Sequence, residues 1–351
     1  MEQPESQSKI TRPTCPACGH EGSRVYINLM DRIFQSKEKW NMDGCLNMSC
    51  RTFWLNPGPS KEALPDLYAD YSTHTENEIV TEPEHAPKDA CDGLLENSIR
   101  AYLHYAYGYF EQIPLLPGLL SRFIYLYPSW RDQAQMRVFY AEHVGDGKFL
   151  DVGCGQGGNM LMMQALGWKA EGIDFDSTAI AIARKRGLNV SDQDIHSKNY
   201  PDGNFDLILL CHVIEHLPDP RETIAECHRI LKKGGKLVLI TPNGLGAGHR
   251  KYGRNWRGLE TPQHLQIFNP KSLKYICDEV GFTDIQAFSS PSGDDYVLYQ
   301  SALLAKNEKI GASDFTPEPS FIKRHLKWFL RDLKGYHWRD LHETAVAICT
   351  K

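Results

Sequence analysis

Hydrophobic residues follow two alternating periods through the second half of the chain. Short apolar runs such as "KFLDVG", "FDLILLCH" and "KLVLITP" are typical of buried strands, and amphipathic stretches such as "STAIAIARKRG" and "RETIAECHRILKKGG" are typical of helices. Strands separated by helices of this length predict an α/β fold with a doubly wound, mostly parallel sheet. We expect this core to span 146–290, its "RETIAECHRILKKGG" helix to end at Gly234, and the β-rich stretch 342–351 to supply the final strand.

The remaining segments lack this alternation and differ from one another in composition. We expect a disordered lead over 1–14, a small cysteine module over 15–57, and an acidic, polar linker over 58–93. Apolar helical stretches over 94–145 predict a helical cap on the core. Residues 291–341 contain "FIKRHLKWFLRDLKGYHWRD", which predicts a basic, aromatic helical insertion before the final strand.

Composition and charge narrow the classes of partner. The 351 residues carry a formal net charge of −5, whereas domains that bind nucleic acid are usually basic, so a nucleic-acid partner is unlikely. The polar start "MEQPESQSKI" lacks the apolar core of a signal peptide, and no apolar run has the length of a membrane span. We therefore expect a cytoplasmic protein. Its oligomeric state cannot be read from this pattern.

Two segments raise the question of a membrane surface. Residues 101–130 are unusually apolar and aromatic, and 321–339 are basic and aromatic. Together they could lie on an anionic lipid surface, at the periphery of the inner membrane, and reach a lipid-linked acceptor. The preferred interpretation is simpler, namely a helical lid packed over the active site.

Four of the ten cysteines fall together near the N-terminus. Cys15 and Cys18 have the C-x₂-C spacing that supplies two thiolates to one metal ion, and Cys45 and Cys50 can complete a tetrahedron. The second pair has the spacing C-x₄-C, and His20 is a possible substitute ligand. We predict a zinc-ribbon module with a structural Zn²⁺ ion, because four protein ligands leave no open coordination position. Unliganded reduced cysteines are the alternative.

A glycine-rich turn joins the first core strand to its helix in "LDVGCGQGG". Gly153, Gly155 and Gly158 let the backbone turn tightly and approach a ligand closely. Their spacing also fits the dinucleotide fingerprint, so the glycines alone leave the ligand open.

Three carboxylates narrow the choice of ligand. Asp151 lies two residues before Gly153, where it would oppose a phosphate but suit a cation. Asp174 ends the second strand and is placed to bind both hydroxyls of a ribose. Asp194 follows the third strand and could accept from an exocyclic amine. The set indicates an adenosyl ligand with a charged amino-acid tail.

These stretches resemble, in order, the motifs of class I S-adenosylmethionine-dependent methyltransferases. The matching stretches are "FLDVGCGQGGNML", "GIDFD", "DI" at 194–195, "FDLILLCHVIEHLPDP" and "LKKGGKLVLITPN". The resemblance implies a seven-stranded sheet and S-adenosylmethionine as methyl donor. The cofactor-binding residues that it implies are Asp151, Gly153, Cys154, Gly155, Asp174, Phe175, Asp194, Ile195, His212 and Ile214.

A narrower resemblance covers nearly the whole chain. Bacterial proteins with an N-terminal zinc ribbon, a "HVIEHLPDP" strand end and a "GRNWRGLETPQHL"-like segment form a branch that is often associated with surface-polysaccharide and glycan biosynthesis. The branch resembles quinone-biosynthesis methyltransferases in its core only.

The irregular segment "NWRGLETPQHLQIF" follows the fifth strand and starts at the ligand-binding edge of the sheet. We expect Trp256 and Arg257 to shape an acceptor pocket. An alcohol acceptor must lose a proton, and we predict His264 as the first candidate base and His216 as the second. Glu215 and Glu260 complete the predicted catalytic group. The alternative is that the segment is only an anchored loop.

The predicted reaction is O-methylation of a saccharide or other small-molecule hydroxyl by direct displacement. C-methylation of a nucleotide sugar and RNA methylation with a zinc ribbon that grips RNA are alternatives. A domain that binds the cofactor without turnover is a further alternative.

Overall fold

The computed structural model describes residues 9–33, 38–67, 90–111, 113–307 and 341–351, with five further positions between 326 and 333. Residues 1–8 of the expected disordered lead, most of the linker and most of the 291–341 insertion lie outside the described residues. The chain ahead of the core forms small strands and a group of helices. The core itself follows from the first predicted strand onward.

Five short strands make up the N-terminal part. They are β1 (Lys9–Ile10), β2 (Gly22–Met30), β3 (Lys39–Cys45), β4 (Phe53–Leu55) and β5 (Gly58–Pro59). Strand β3 pairs antiparallel with β2 on one side and with β4 on the other, and β1 pairs antiparallel with β5. Residues 9–10 and 58–59, which were expected in the lead and the linker, are therefore ordered strands at the border of the cysteine module.

Four helices follow. They are α1 (Leu64–Leu67), α2 (Ala90–Tyr107), α3 (Leu115–Leu126) and α4 (Pro128–Met136). The last three occupy the predicted cap region. Tyr102 and Ile124 of this group are buried in the same cluster as Phe149 of the core, so the helices pack on the sheet.

The core alternates strands and helices as predicted. Its strands are β6 (Lys148–Val152), β7 (Lys169–Ile173), β8 (Asn189–Ser191), β9 (Phe205–Cys211), β10 (Leu231–Pro242), β12 (Thr283–Ser290) and β13 (Thr344–Thr350). Its helices are α5 (Gly158–Ala165), α6 (Ser177–Lys185), α7 (Pro220–Ile230), α8 (Ala247–Tyr252), α9 (Pro270–Val280) and α10 (Asp294–Ala305).

The core strands form one sheet of seven strands in the described part of the chain, in the order β12-β13-β10-β9-β6-β7-β8. The pairs from β10 to β8 are parallel, and β13 is antiparallel to both of its neighbours. This confirms the predicted mixed α/β fold with a mainly parallel sheet, and β13 lies within the stretch 342–351.

Helices cover both faces of the sheet. In β9 the four residues Leu207 to Leu210 are fully buried, as expected for a strand covered on two sides. Leu207 and Leu209 join the cluster with the cap helices, whereas Ile208 and Leu210 join the cluster that includes α7 and α9. The period of two along the strand thus divides the core into two layers.

One predicted boundary is wrong. Helix α7 ends at Ile230 rather than at Gly234, and Leu231 already belongs to β10. The N–H of Leu231 donates to the Cys227 carbonyl and closes the helix, while Leu231 itself pairs with Phe205. Strand pairing outweighs the helical propensity of "LKK".

The N-terminal sheet takes its fourth strand from the segment that follows β10. Strand β11 (Gln266–Ile267) pairs antiparallel with β4, which makes a four-stranded sheet in the order β11-β4-β3-β2. The N–H of Leu55 also donates to the Leu265 carbonyl at 2.9 Å. The cysteine module is therefore attached directly to the irregular segment that follows β10. No helix in the part of the chain that the structure describes is long and apolar enough to cross a membrane.

Candidate active site

The glycine-rich loop follows β6 and has the backbone conformation that only glycine adopts without strain. Gly153 and Gly155 have φ values of 74° and 51°. A Cβ atom at Gly153 would lie 2.3 Å from Val213 Cγ2, so the turn after β9 packs directly on this loop. A Cβ at Gly155 would meet nothing within 4 Å, so the loop borders open space there. The loop therefore has one face packed and one face available to a ligand.

Asp151 lies in β6 beneath this loop. Asp151 is fully buried, and neither of its carboxylate oxygens has a hydrogen-bond partner among the described residues. Burial raises the pKa of Asp151 to about 8, and the nearby Asn159 amide offsets this only in part. A buried carboxylate without a partner is costly unless a positively charged group compensates it. The position fits the ammonium group of an amino-acid tail.

Asp174 connects the second strand to the glycine loop. Its Oδ2 accepts from the Gly155 N–H at 2.8 Å, and its Oδ1 accepts from the Asp176 N–H at 2.9 Å. Burial raises the pKa of Asp174, and these backbone donors oppose the rise. The neighbouring Phe175 is 64% exposed. The residues expected at the ribose thus lie beside the open face of the loop.

Asp194 holds the turn after β8. Its carboxylate accepts from the N–H groups of His196 and Ser197 at 2.9 and 3.0 Å, and Ser197 Oγ donates to it at 2.5 Å. Ile195 is buried. The Asp194 carboxylate therefore stabilises its own turn, and the adenine contact of these two residues stays a prediction.

The end of β9 carries a histidine–glutamate pair. His212 has a φ of 56°, and its side chain is 54% exposed. Its Nδ1 lies 3.3 Å from Oε1 of Glu215, whose side chain is fully buried. Thr241 Oγ1 donates to the other oxygen of Glu215 at 2.9 Å. Ile214 is buried in the core, so only its backbone could make the predicted contact with the cofactor.

The charges of this pair are set by burial and by the neighbouring rings. Burial alone would raise the pKa of Glu215, but the hydrogen bond from His212 and the nearby His216 lower it to about 2. Partial loss of solvation lowers the pKa of the His212 ring, and the Glu215 carboxylate more than reverses this, so that the His212 pKa is raised. Glu215 is therefore ionised and faces an imidazole whose side chain is about half exposed to solvent.

His216 and His264 lie behind this pair, with ring centroids 4.8 Å apart. His264 Nδ1 lies 2.8 Å from the Gly258 carbonyl, and its Nε2 lies 3.5 Å from Glu260 Oε2. His216 Nδ1 lies 2.9 Å from the Gln263 carbonyl. Burial lowers the pKa of His264 to about 4. The structure thus brings together all four predicted catalytic residues, but it buries His264.

Trp256 and Arg257 are anchored in the structure. Trp256 is 1% exposed, stacks on His249 at 4.7 Å, and donates from Nε1 to Glu343 Oε2 at 2.6 Å. Arg257 donates to the carboxylate of Glu260. Trp256 therefore holds the segment in place instead of presenting an open surface. A direct acceptor contact stays a prediction for Arg257.

The four N-terminal cysteines meet in one cluster. The Sγ atoms of Cys15 and Cys50 lie 3.7 Å apart, those of Cys18 and Cys45 lie 3.4 Å apart, and all four lie within 4.8 Å of one another. His20 does not belong to the cluster; its ring bonds the Cys18 carbonyl. A Zn²⁺ ion with Zn–S bonds of about 2.3 Å needs sulfur atoms roughly 3.8 Å apart in a tetrahedron. The thiol positions fit that requirement.

The comparison with protein families decides the nature of the core. Residues 127–287 match the model of a family described as a methyltransferase domain. The match includes the glycine loop, Asp174 and the His212–Glu215 pair. This part of the chain therefore resembles a methyltransferase domain.

Several curated proteins are similar to the methyltransferase domain. Ubiquinone biosynthesis O-methyltransferase of Idiomarina loihiensis is 29% identical over 202 residues, which cover 50% of this chain and 83% of that protein. The enzyme of the same name from Xanthomonas oryzae pv. oryzae is 39% identical over 103 residues, which cover 27% of this chain and 43% of that protein. The chain thus spans less than half of the second relative.

Solved structures overlap with part of the chain. A SAM-dependent methyltransferase from Archaeoglobus fulgidus has a TM-score of 0.41 at 21% identity, over 67% of this chain and 92% of that one. Phosphoethanolamine N-methyltransferase 2 of Haemonchus contortus, in complex with S-adenosyl-L-methionine, has a TM-score of 0.42 at 17% identity, over 72% of this chain and 60% of that one.

Two features of the core are not predicted from the sequence. The resemblance implies only a cofactor contact for His212, although Glu215, three residues later, places a carboxylate beside its ring. The "HVIE" stretch contained that signal. Glu343 anchors Trp256 and accepts from the Gly248 N–H at 2.6 Å. It lies 87 residues after Trp256, and no local pattern joins the two.

Proposed function

We propose that the chain is an S-adenosylmethionine-dependent methyltransferase that acts on a hydroxyl oxygen of a small molecule or saccharide. The observation that carries the proposal is the His212–Glu215 pair, which opens beside the glycine loop. The turn after His212 packs on Gly153, so an acceptor held near His212 lies close to whatever the loop binds. The names of the two ubiquinone O-methyltransferases favour oxygen as the acceptor atom. A saccharide acceptor rests on the narrower resemblance of the sequence.

Each predicted cofactor-binding residue would contact a different part of S-adenosylmethionine. Asp151 would compensate the ammonium group, since burial leaves its carboxylate without a partner. Asp174 would bind the ribose hydroxyls with the lone pairs that Gly155 and Asp176 do not use. Phe175 is exposed and would cover the adenosyl group, with Asp194 and Ile195 at the adenine. S-adenosylmethionine supplies an activated methyl group on a sulfonium sulfur.

His212 is the base that the geometry supports best. With Nδ1 donating to Glu215, the half-exposed ring has its lone pair on Nε2. The acceptor proton would move to Nε2 while the oxygen bonds to the methyl carbon and the bond from carbon to sulfur breaks. The ionised Glu215 would stabilise the imidazolium that results. His264 and His216 stay as the bases predicted from sequence, but His264 is 5% exposed in its side chain.

We also propose that the cysteine cluster binds one structural Zn²⁺ ion. The support is the cluster geometry and the chemistry of four thiols, which suit zinc and leave no position for a substrate. Cys15 and Cys50 are buried, and the carbonyl of Cys15 accepts from the Gly19 N–H at 2.8 Å in a tight turn. The ion would hold the module against β11 and the segment that precedes it.

Calorimetry and a product assay test the main proposal together. Isothermal titration with S-adenosylmethionine is expected to show one binding event per chain. Incubation with a panel of phenols, sugar nucleotides and lipid-linked saccharides is expected to release S-adenosylhomocysteine with at least one of them. No binding would contradict the cofactor assignment. Binding without product from any hydroxyl acceptor would contradict the reaction and favour a domain that only binds the cofactor.

A further inference from the structure

We propose that Glu215, His216 and His264 bind a divalent metal cation at a second site, separate from the cysteine cluster. A carboxylate oxygen of Glu215 and a ring nitrogen of each histidine lie within 4.8 Å of one another. The site joins the turn after β9 to the segment before β11. It extends beyond the proposed methyl transfer and shares the Glu215 carboxylate with the His212 pair.

The orientation of both rings is fixed by the backbone. A carbonyl oxygen only accepts, so His216 must donate from Nδ1 to Gln263, at 2.9 Å, and His264 must donate from Nδ1 to Gly258, at 2.8 Å. In each neutral ring the lone pair then lies on Nε2. Histidines that bind metals almost always donate their other ring N–H to a carbonyl or a carboxylate in this way.

The charges around the rings also call for a cation. Glu215 is fully buried, and its printed partners are the Thr241 hydroxyl and the His212 ring. It forms no ion pair with a lysine or an arginine among the described residues. His264 Nε2 lies 3.5 Å from Glu260 Oε2, a carboxylate that already accepts from Arg257. The fully buried Glu215 carboxylate is therefore the group that a bound cation would compensate.

The backbone holds the two halves of the site together before any ion binds. The Leu265 N–H donates to the Glu215 carbonyl at 2.9 Å. Gln266 Nε2 donates to the carbonyls of Ile214 and Leu217 at 3.1 and 2.6 Å. A bound ion about 2.1 Å from each ligand needs ligand atoms within about 4.2 Å, so small side-chain rotations suffice.

The donor set indicates the class of ion. Two imidazole nitrogens and one carboxylate oxygen suit first-row transition metals such as Zn²⁺, Fe²⁺ or Mn²⁺ better than Ca²⁺. Three protein ligands leave at least one coordination position open, unlike the four-cysteine cluster. The two sites therefore differ in their sulfur content, which gives them different spectra.

His249 provides a matched control. It is buried in the same region, and its Nδ1 donates to the Gly244 carbonyl at 2.6 Å. Its Nε2 lies 2.9 Å from the Tyr26 hydroxyl rather than at a carboxylate. His249→Gln thus removes a buried, carbonyl-bonded histidine without removing a proposed ligand.

The experiment titrates Co²⁺ and Zn²⁺ into the full-length chain without a histidine tag. The metal content is measured after dialysis, and the Co²⁺ spectra distinguish thiolate ligands, which give strong charge-transfer bands, from nitrogen and oxygen ligands. The wild type and His249→Gln are expected to bind an ion with nitrogen and oxygen ligands. His264→Gln and the less buried His216→Gln are expected to weaken that binding about 10- to 100-fold, in line with lost metal contacts.

Circular dichroism establishes whether each variant is folded. If His264→Gln does not fold, the metal content of His216→Gln alone tests the site. The proposal is overturned if the wild type binds no ion outside the thiolate site. It is also overturned if both ligand variants bind the second ion like the wild type. Titration of S-adenosylmethionine into the same samples keeps the two proposals apart, since either ligand can bind without the other.

Discussion

At the residue scale, the buried carboxylate of Asp151 links the fold to its ligand. Its pKa of about 8 lies above the value of 3.8 that the unfolded chain would have, so the folded protein binds the proton more tightly. The contribution of this group to stability is therefore present below pH 4 and is lost as the pH rises towards 8. A cationic ligand would reverse that loss.

Asp151→Asn tests this account. Without ligand, the variant is expected to be more stable than the wild type at pH 8, by about 2 kcal/mol in the free energy of unfolding, because no buried carboxylate has to ionise. Its affinity for S-adenosylmethionine is expected to fall at least about tenfold, which is about 1.4 kcal/mol. Urea unfolding and calorimetry measure the two effects. A less stable variant with unchanged affinity would contradict the role of Asp151.

The sequence predicts the site residues that lie close together along the chain, but not those whose role depends on distant contacts or on an unusual backbone conformation. Asp151, Asp174 and the glycines lie within one strand–turn–helix pattern, so their spacing carries the signal. The anchoring of Trp256 depends on Glu343, which comes from the other end of the chain. The exposed position of His212 depends on its left-handed backbone, and the sequence does not encode that visibly.

At the scale of elements, the pairing of β4 with β11 links the cysteine module to the acceptor segment. Trp54 pairs with Gln266 and Phe53 with Ile267. Asn269 Nδ2 also donates to the carbonyls of Cys50 and Arg51 at 2.9 and 3.1 Å. Sequence patterns predicted the cysteine module and the segment after β10, but they did not predict that β4 pairs with β11. A strand of two residues such as β11 is too short to show a hydrophobic period. A change at the cysteines should therefore reach His264.

Cys45→Ser tests that link. The variant is expected to lose the zinc, to melt at a lower temperature, and to lose more turnover than affinity for S-adenosylmethionine, because the cofactor loop belongs to the other sheet. Metal analysis, thermal unfolding and the product assay measure these effects. Cys227→Ala, which changes a buried cysteine in the core, should keep the zinc. Full stability of the zinc-free variant would contradict the link.

At the scale of the whole molecule, helix α3 presents an apolar surface. Leu115 is 83% exposed and Leu126 is 69% exposed, with Leu119 and Phe123 also exposed on this helix. Pro117, Ser121 and Ile124 on the opposite side are buried. An exposed apolar helix face of this kind suits the interface of a lipid bilayer, which was the alternative to the helical lid that the sequence favoured.

Vesicle co-sedimentation measures this contact. If α3 contacts a bilayer, the wild type is expected to sediment with vesicles that contain anionic phospholipid, and Leu119→Asp with Phe123→Asp is expected to reduce the bound fraction several-fold without loss of folding. Lys169→Asp, on the exposed surface away from α3, serves as a charge-matched control. A wild type that stays in the supernatant would rule out membrane contact and leave α3 as part of a lid.

The overall architecture was largely readable because the strands of the parallel sheet are buried on both sides and alternate with amphipathic helices. The seventh strand was also readable, since "ETAVAICTK" alternates by twos. The pairing of β11 with β4 and the end of α7 at Ile230 were not, because both depend on pairing between distant segments.

The rate of S-adenosylhomocysteine formation by His212→Asn, relative to the wild type, tests the central claim most directly. With saturating cofactor and the best acceptor, the variant is expected to be slower by about 100-fold or more, because the acceptor proton has no base. Its affinity for S-adenosylmethionine is expected to fall much less than its rate, because the resemblance gives the cofactor nine other contacts. Equal rates for the two proteins would contradict the proposed site.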